Sequence, residues 1–162
     1  AASTALKFSG MADAMNIIIT EEMREKIQGI YGGAATIEYN KIPTGRFQLV
    51  LQLPCGPAKV DTLIAAFDHE LKKMADAGVA QSYVDKVKKA WQEKHKVEAK
   101  TNEYWLSVLQ SINRGETTAD RILNAEKYFS ELTAADIKEA AMIVQKASGK
   151  MIAVQMPETI KQ

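Results

Sequence analysis

The sequence predicts an α+β domain, an antiparallel sheet of about three strands packed on about five helices. Three observations predict it. Long stretches repeat apolar residues every three or four positions, two adjacent stretches alternate apolar and polar residues across a Pro/Gly turn, and a third alternation lies near the end of the chain. At 162 residues, 46% hydrophobic and 25% charged, the chain can bury one substantial core, and it reads as a single domain over residues 1–162.

The first helix runs from Leu6 to Gly29, with Phe8, Met11, Met15, Ile18, Ile19, Met23 and Ile27 forming one stripe. Beyond Gly29, Gly32 and Gly33, Ala35, Ile37 and Tyr39 alternate with Thr36, Glu38 and Asn40. Pro43-Thr44-Gly45 supplies a turn, and Phe47, Leu49, Leu51 and Leu53 then alternate with Gln48, Val50 and Gln52. Two such runs read as an antiparallel hairpin with one buried face. Pro54 ends it and Pro57 suits the first turn of a helix whose stripe is Val60, Leu63, Ile64, Phe67, Leu71 and Met74, with Gly78 as the residue beyond its end. A long helix over 82–113 has amphipathic ends and an almost wholly polar middle, 92–103, so it is either bent there or solvated on most faces; Gly115 stops it. A shorter helix follows over 118–131. The next starts at Leu132-Thr133, where Thr133 and Asp136 have capping-box spacing, and buries Ile137, Ala141 and Val144. Ile152, Val154 and Met156 read as the last strand, ended by Pro157.

Several function classes drop out. A net charge of +1 creates no long-range field to gather nucleic acid or anionic lipid. No apolar stretch approaches the roughly 20 residues that cross a bilayer. With Cys55 the only cysteine, a disulfide framework and a multi-Cys zinc site are both excluded. His69-Glu70 opens like a His-Glu-x-x-His zinc motif, but Lys73 occupies the second histidine position; His95 and Glu98 begin the inverted motif, and Ala99 ends it. Neither set supplies the three protein ligands of a catalytic zinc, and both histidines read as exposed helix residues. Cys55 reads as a half-buried or capping residue. Gly29-Ile30-Tyr31-Gly32-Gly33 follows a helix rather than a strand and reads as a turn.

Arg24 and Tyr31 are the remaining candidates. The glycine turn between them would bring a guanidinium and a phenol to one cleft, a pair of donors suited to a carbonyl or an oxyanion. The competing assignment pairs Arg24 with Glu21 or Glu25 and packs Tyr31 at the sheet edge.

The same segment, Met23-Arg24-Glu25-Lys26-Ile27-Gln28-Gly29-Ile30-Tyr31, resembles the L-R-E-K-x-G-x-x-Y stretch in the C-terminal halves of insulinase/pitrilysin-like zinc metallopeptidases, the inverzincins. Leu53–Pro57 with Val60, Leu63 and Ile64 resembles the strand-to-helix step of that family, Lys100–Leu106 its K-x-N-x-x-W-L, Leu132–Ile137 with Ala140 and Ala141 its L-T-x-x-D-I-x-x-A-A, and Ile152–Pro157 its closing strand. The resemblance runs from about Leu6 to Pro157. It implies a metallopeptidase half-domain of LuxS/processing-peptidase type, without the first strand–helix–strand portion of a full half. The zinc, held by His-x-x-Glu-His, would belong to a partner half on the same or another chain, with no cofactor in this segment. Arg24 and Tyr31 would contact the peptide substrate and its oxyanion across a closing chamber. The alternative is a structural or binding module of the same fold with no peptidase role. An exposed sheet edge would favour pairing with a second copy, and the family resemblance leans toward the bacterial periplasm.

Overall fold

The computed structural model describes residues 3–27, 32–40, 44–147 and 149–157. Helix α1 (Thr4–Ile18) starts at Ser3, whose hydroxyl accepts from the Leu6 N–H. It continues directly into a π-helical stretch, Ile19–Ile27. Met11, Met15, Ile19 and Met23 explain the change. A four-residue repeat overshoots a 3.6-residue turn by about 40° at each step, and the wider i→i+5 winding absorbs that drift. All four side chains are buried.

Strands β1 (Ala34–Asn40) and β2 (Arg46–Gln52) form the expected antiparallel hairpin, with Ala35 opposite Leu51 and Ile37 opposite Leu49. Ala35, Ile37, Phe47, Leu49 and Leu51 face the core, and Phe8 of α1 stacks on Phe47 with ring centroids 4.7 Å apart. The side chain of Asn16 takes the place of a neighbouring strand. Its Nδ2 donates to the Ala35 carbonyl at 2.8 Å and its Oδ1 accepts from the Ala35 N–H at 2.6 Å.

A 3₁₀ turn at Pro57–Lys59 leads into α2 (Val60–Ala77), closed by Gly78 at φ 80°, a conformation that glycine adopts without strain. Helix α3 (Gln81–Glu98) packs on α1. Helices α4 (Asn102–Asn113), α5 (Ala119–Leu123) and α6 (Ala125–Ser130) follow, with α6 against α3. Helix α7 (Ala134–Gln145) lies against both α1 and α2. Its capping box between Thr133 and Asp136 is fully formed, and Lys7 of α1 reaches Asp136 and Glu139 at 3.2 and 2.6 Å. Gly10 lets α1 approach: a Cβ there would lie 2.7 Å from a Leu132 methyl carbon.

Three expectations need correction. The described residues contain a two-stranded sheet and seven α-helices, rather than about three strands and about five helices. Residues 149–157 form no strand; Ile152, Val154 and Met156 are exposed, and Lys150 pairs with Asp68 of α2 at 2.7 Å. Alternation makes a strand only where an edge accepts it, and here the segment is tied to a helix. The long helix over 82–113 is broken at 99–101, and the shorter helix over 118–131 is divided at Asn124. Thr101 explains the first break. Its hydroxyl donates to the Glu98 carbonyl that ends α3 and accepts from the Tyr104 N–H that begins α4.

Candidate functional site

Arg24 lies on the π-helical stretch and is exposed. Among the described residues it has no ion-pair partner, and Glu21, the nearest expected one, is committed elsewhere. Glu21 accepts from Lys86 Nζ at 2.6 Å and from the Tyr83 hydroxyl at 3.1 Å, which joins the π-helical stretch to α3. Lys86 first and Tyr83 second hold the Glu21 carboxyl below its ordinary pKa; burial first and Glu21 second push the Tyr83 phenol up. Tyr31 lies outside the described residues, as does the side chain of Glu25.

The histidines divide. His69 is exposed, as expected. His95 is not: it is half-buried, and its Nδ1 shares a hydrogen bond of 3.2 Å with the Tyr104 hydroxyl across the α3–α4 break. Apolar rings on adjacent elements draw it in, Phe129 at 5.9 Å and Tyr104 at 5.6 Å, both edge-on. Cys55 is half-buried. No three His, Cys, Asp or Glu side chains among the described residues are grouped so as to hold a metal, and Lys73 and Ala99 stand where further histidines would be needed. The donor set therefore does not fit a zinc ion. No described helix is long and apolar enough to cross a membrane.

Two open cavities adjoin the α3–α4 break, and Arg24 lines neither. One, of about 570 Å³, is lined by Glu98, Glu103 and Glu116 with Ser107 and Ser111. Its Glu116 is held by two bonds from Arg114, 2.7 and 2.9 Å, which keep that carboxyl below its ordinary pKa. The other, of about 380 Å³, is walled by Trp91, His95, Tyr104, Tyr128 and Phe129. Trp91 Nε1 donates to Asp13 at 2.6 Å and the Tyr128 hydroxyl to Asp120 at 2.7 Å, so these rings are fixed. The sequence carried a signal for this cluster, two rings four residues apart at Trp91 and His95. A search for metal ligands considers only the imidazole and passes over the aromatic neighbours.

No family model matches the chain, and no curated protein matches its sequence. Solved structures do match its shape. The periplasmic protease PqqL of Escherichia coli superposes with a TM-score of 0.65 at 13% identity, covering 85% of this chain and 15% of PqqL. A Helicobacter pylori protease gives 0.62 at 14% identity over 83% of this chain and 34% of that one. The inactive peptidase domain of a Bordetella parapertussis protein assigned as a zinc protease gives 0.63 at 12% identity over 99% of this chain and 89% of that domain. The fold is that of protease domains. The chain spans about one seventh of the length of PqqL and one third of that of the Helicobacter protease.

Proposed function

We propose that this chain is the non-catalytic, substrate-side domain of a zinc metalloendopeptidase, the C-terminal type of half in an insulinase-like enzyme. It would close the chamber over a peptide while a partner half supplies the zinc. The observation that carries this reading is the near end-to-end likeness to an inactive peptidase domain, combined with described residues that form no metal-binding group. Arg24 supports it, being an exposed guanidinium with no described acidic partner. In this reading Arg24 and Tyr31 donate to the peptide carbonyl and to the oxyanion that forms from it. Localisation with the periplasmic PqqL, and addition of a further strand to the two-stranded sheet by a partner or a second copy, belong to the same proposal. Asn16 closes the outer edge of β1 at Ala35, and pairing geometry turns the Ile37 backbone groups to that same edge.

Peptide hydrolysis by the intact protein that carries this chain tests the assignment. The chain alone is expected to cleave nothing, since its sequence carries neither His-x-x-Glu-His nor His-Glu-x-x-His. In the intact protein, Tyr31→Phe is expected to lower kcat by about a hundredfold to a thousandfold with a smaller change in KM, because an oxyanion contact strengthens only in the transition state. Arg24→Lys is expected to be poorly tolerated, since the planar fork is lost. Unchanged kcat in both variants would leave only the module without a peptidase role.

A further inference from the structure

We propose that the aromatic cavity walled by α3, α4, α5, α6 and the start of α1 binds the C-terminal aromatic residue of a peptide, with the ring among Trp91, Tyr104 and Phe129 and the terminal carboxylate on Arg121. The choice of a peptide over a free aromatic acid rests on the peptidase reading above; the cavity and its charge do not.

Five aromatic rings line one open cleft of about 380 Å³. That volume lies in the range of small-ligand pockets. The rings stand at mixed angles, Trp91 to Phe129 at 54°, His95 to Phe129 at 81° and His95 to Tyr104 at 71°, so the space offers both faces and edges to an incoming ring. The walls are set in advance by Trp91–Asp13, Tyr104–His95 and Tyr128–Asp120, so little ordering entropy is lost when the space fills.

The charged groups select the ligand. Lys94 and Glu98 both line the cavity and face each other at 3.8 Å, so they largely cancel. Arg121 lines it as well, with its guanidinium over the Tyr128 ring at 5.3 Å, and has no carboxylate partner among the described residues. A guanidinium over a ring still has N–H groups to offer a carboxylate in a bidentate bond. An anion on the same residue as an aromatic ring satisfies both features, and a C-terminal Phe or Tyr carries that combination.

Titration of the 162-residue chain with acetyl-Ala-Ala-Phe as the free acid, as the C-terminal amide, and with acetyl-Ala-Ala-Ala acid tests this, read by tryptophan fluorescence and backbone amide shifts. The Phe acid is expected to bind about tenfold more tightly than its amide and than the Ala acid, with shifts centred on α3 and α6. In Arg121→Gln the acid and the amide are expected to bind equally. If Arg121 only covered Tyr128, the variant would weaken both ligands alike and overturn the carboxylate contact. Equal binding of acid and amide by the unaltered chain would also overturn it, and so would 3-phenylpropionate binding as tightly as the peptide. Binding is read without any partner half, so its failure leaves the cleavage test untouched, and the reverse holds too.

Discussion

Two regions of this molecule are held together differently. Around α1, the hairpin, α2 and α7, the core is continuous, with Met11, Met15, Leu63, Met74, Ile137 and Ala141 among its buried residues. In α4, α5 and α6 only Val108 and Ala125 are buried, while Leu109 is 63% and Leu123 76% exposed. This α4–α6 region is held by caps and rings: the two bonds of the Thr101 hydroxyl, Trp105 Nε1 donating to the Ala99 carbonyl at 2.9 Å, and the His95–Tyr104–Phe129 contacts. Dispersion over many atoms holds the core region, whereas a few directional contacts hold the α4–α6 region, which therefore costs less to open. The open cavities lie in this sparsely packed region, between rings that hydrogen bonds hold apart.

The largest expected effect compares a residue from each region. Met15→Ala removes a fully buried side chain and is expected to cost about 2–5 kcal/mol, whereas Leu109→Ala is expected to fall within about 0.5 kcal/mol. Urea unfolding measures both, and equal costs would break the distinction. An intermediate effect concerns Thr101→Ala, which removes the hydroxyl shared by α3 and α4. A loss of about 1 kcal/mol is expected, confined to the α4–α6 region, so amide exchange should quicken in α4 while α1 and α7 keep their protection. Uniform acceleration would mean that the two regions unfold as a single unit.

The smallest effect is electrostatic. Burial pushes the Asp136 carboxyl up, but bonds from Thr133 and Lys7 outweigh it and leave the pKa below the ordinary 3.8. A depressed folded pKa gives stability that is present above the unfolded value and is lost as pH falls through the folded one. Asp136→Asn is therefore expected to cost about 0.5 kcal/mol at pH 7, and the deficit should shrink as pH falls below about 4. A deficit independent of pH would show that the capping box works through geometry alone.

The elements legible in the sequence are those whose partners lie nearby in the chain. The stripe of α1, the pairing of β1 with β2, Gly78 beyond α2 and the Thr133–Asp136 box each depend on residues close together in the chain, and each occurs where the pattern indicates. Of the candidate site, Arg24 is exposed and Glu21 pairs with Lys86 instead, while Tyr31 lies outside the described residues.

What the pattern could not contain were choices made by distant neighbours. Residues 149–157 alternate like a strand, yet whether they pair depends on an edge elsewhere, and Lys150 meets Asp68 instead. The polar stretch of 92–103 left a bend and a solvated helix equally open; Tyr104 meeting His95, and Trp105 meeting the Ala99 carbonyl, favour the bend. His95 is polar by residue type and becomes half-buried because Phe129, more than thirty positions away, packs against it. Local backbone preference and side-chain period act over a few residues, whereas burial is a property of whichever surfaces meet, and the meeting exists only once the chain has folded.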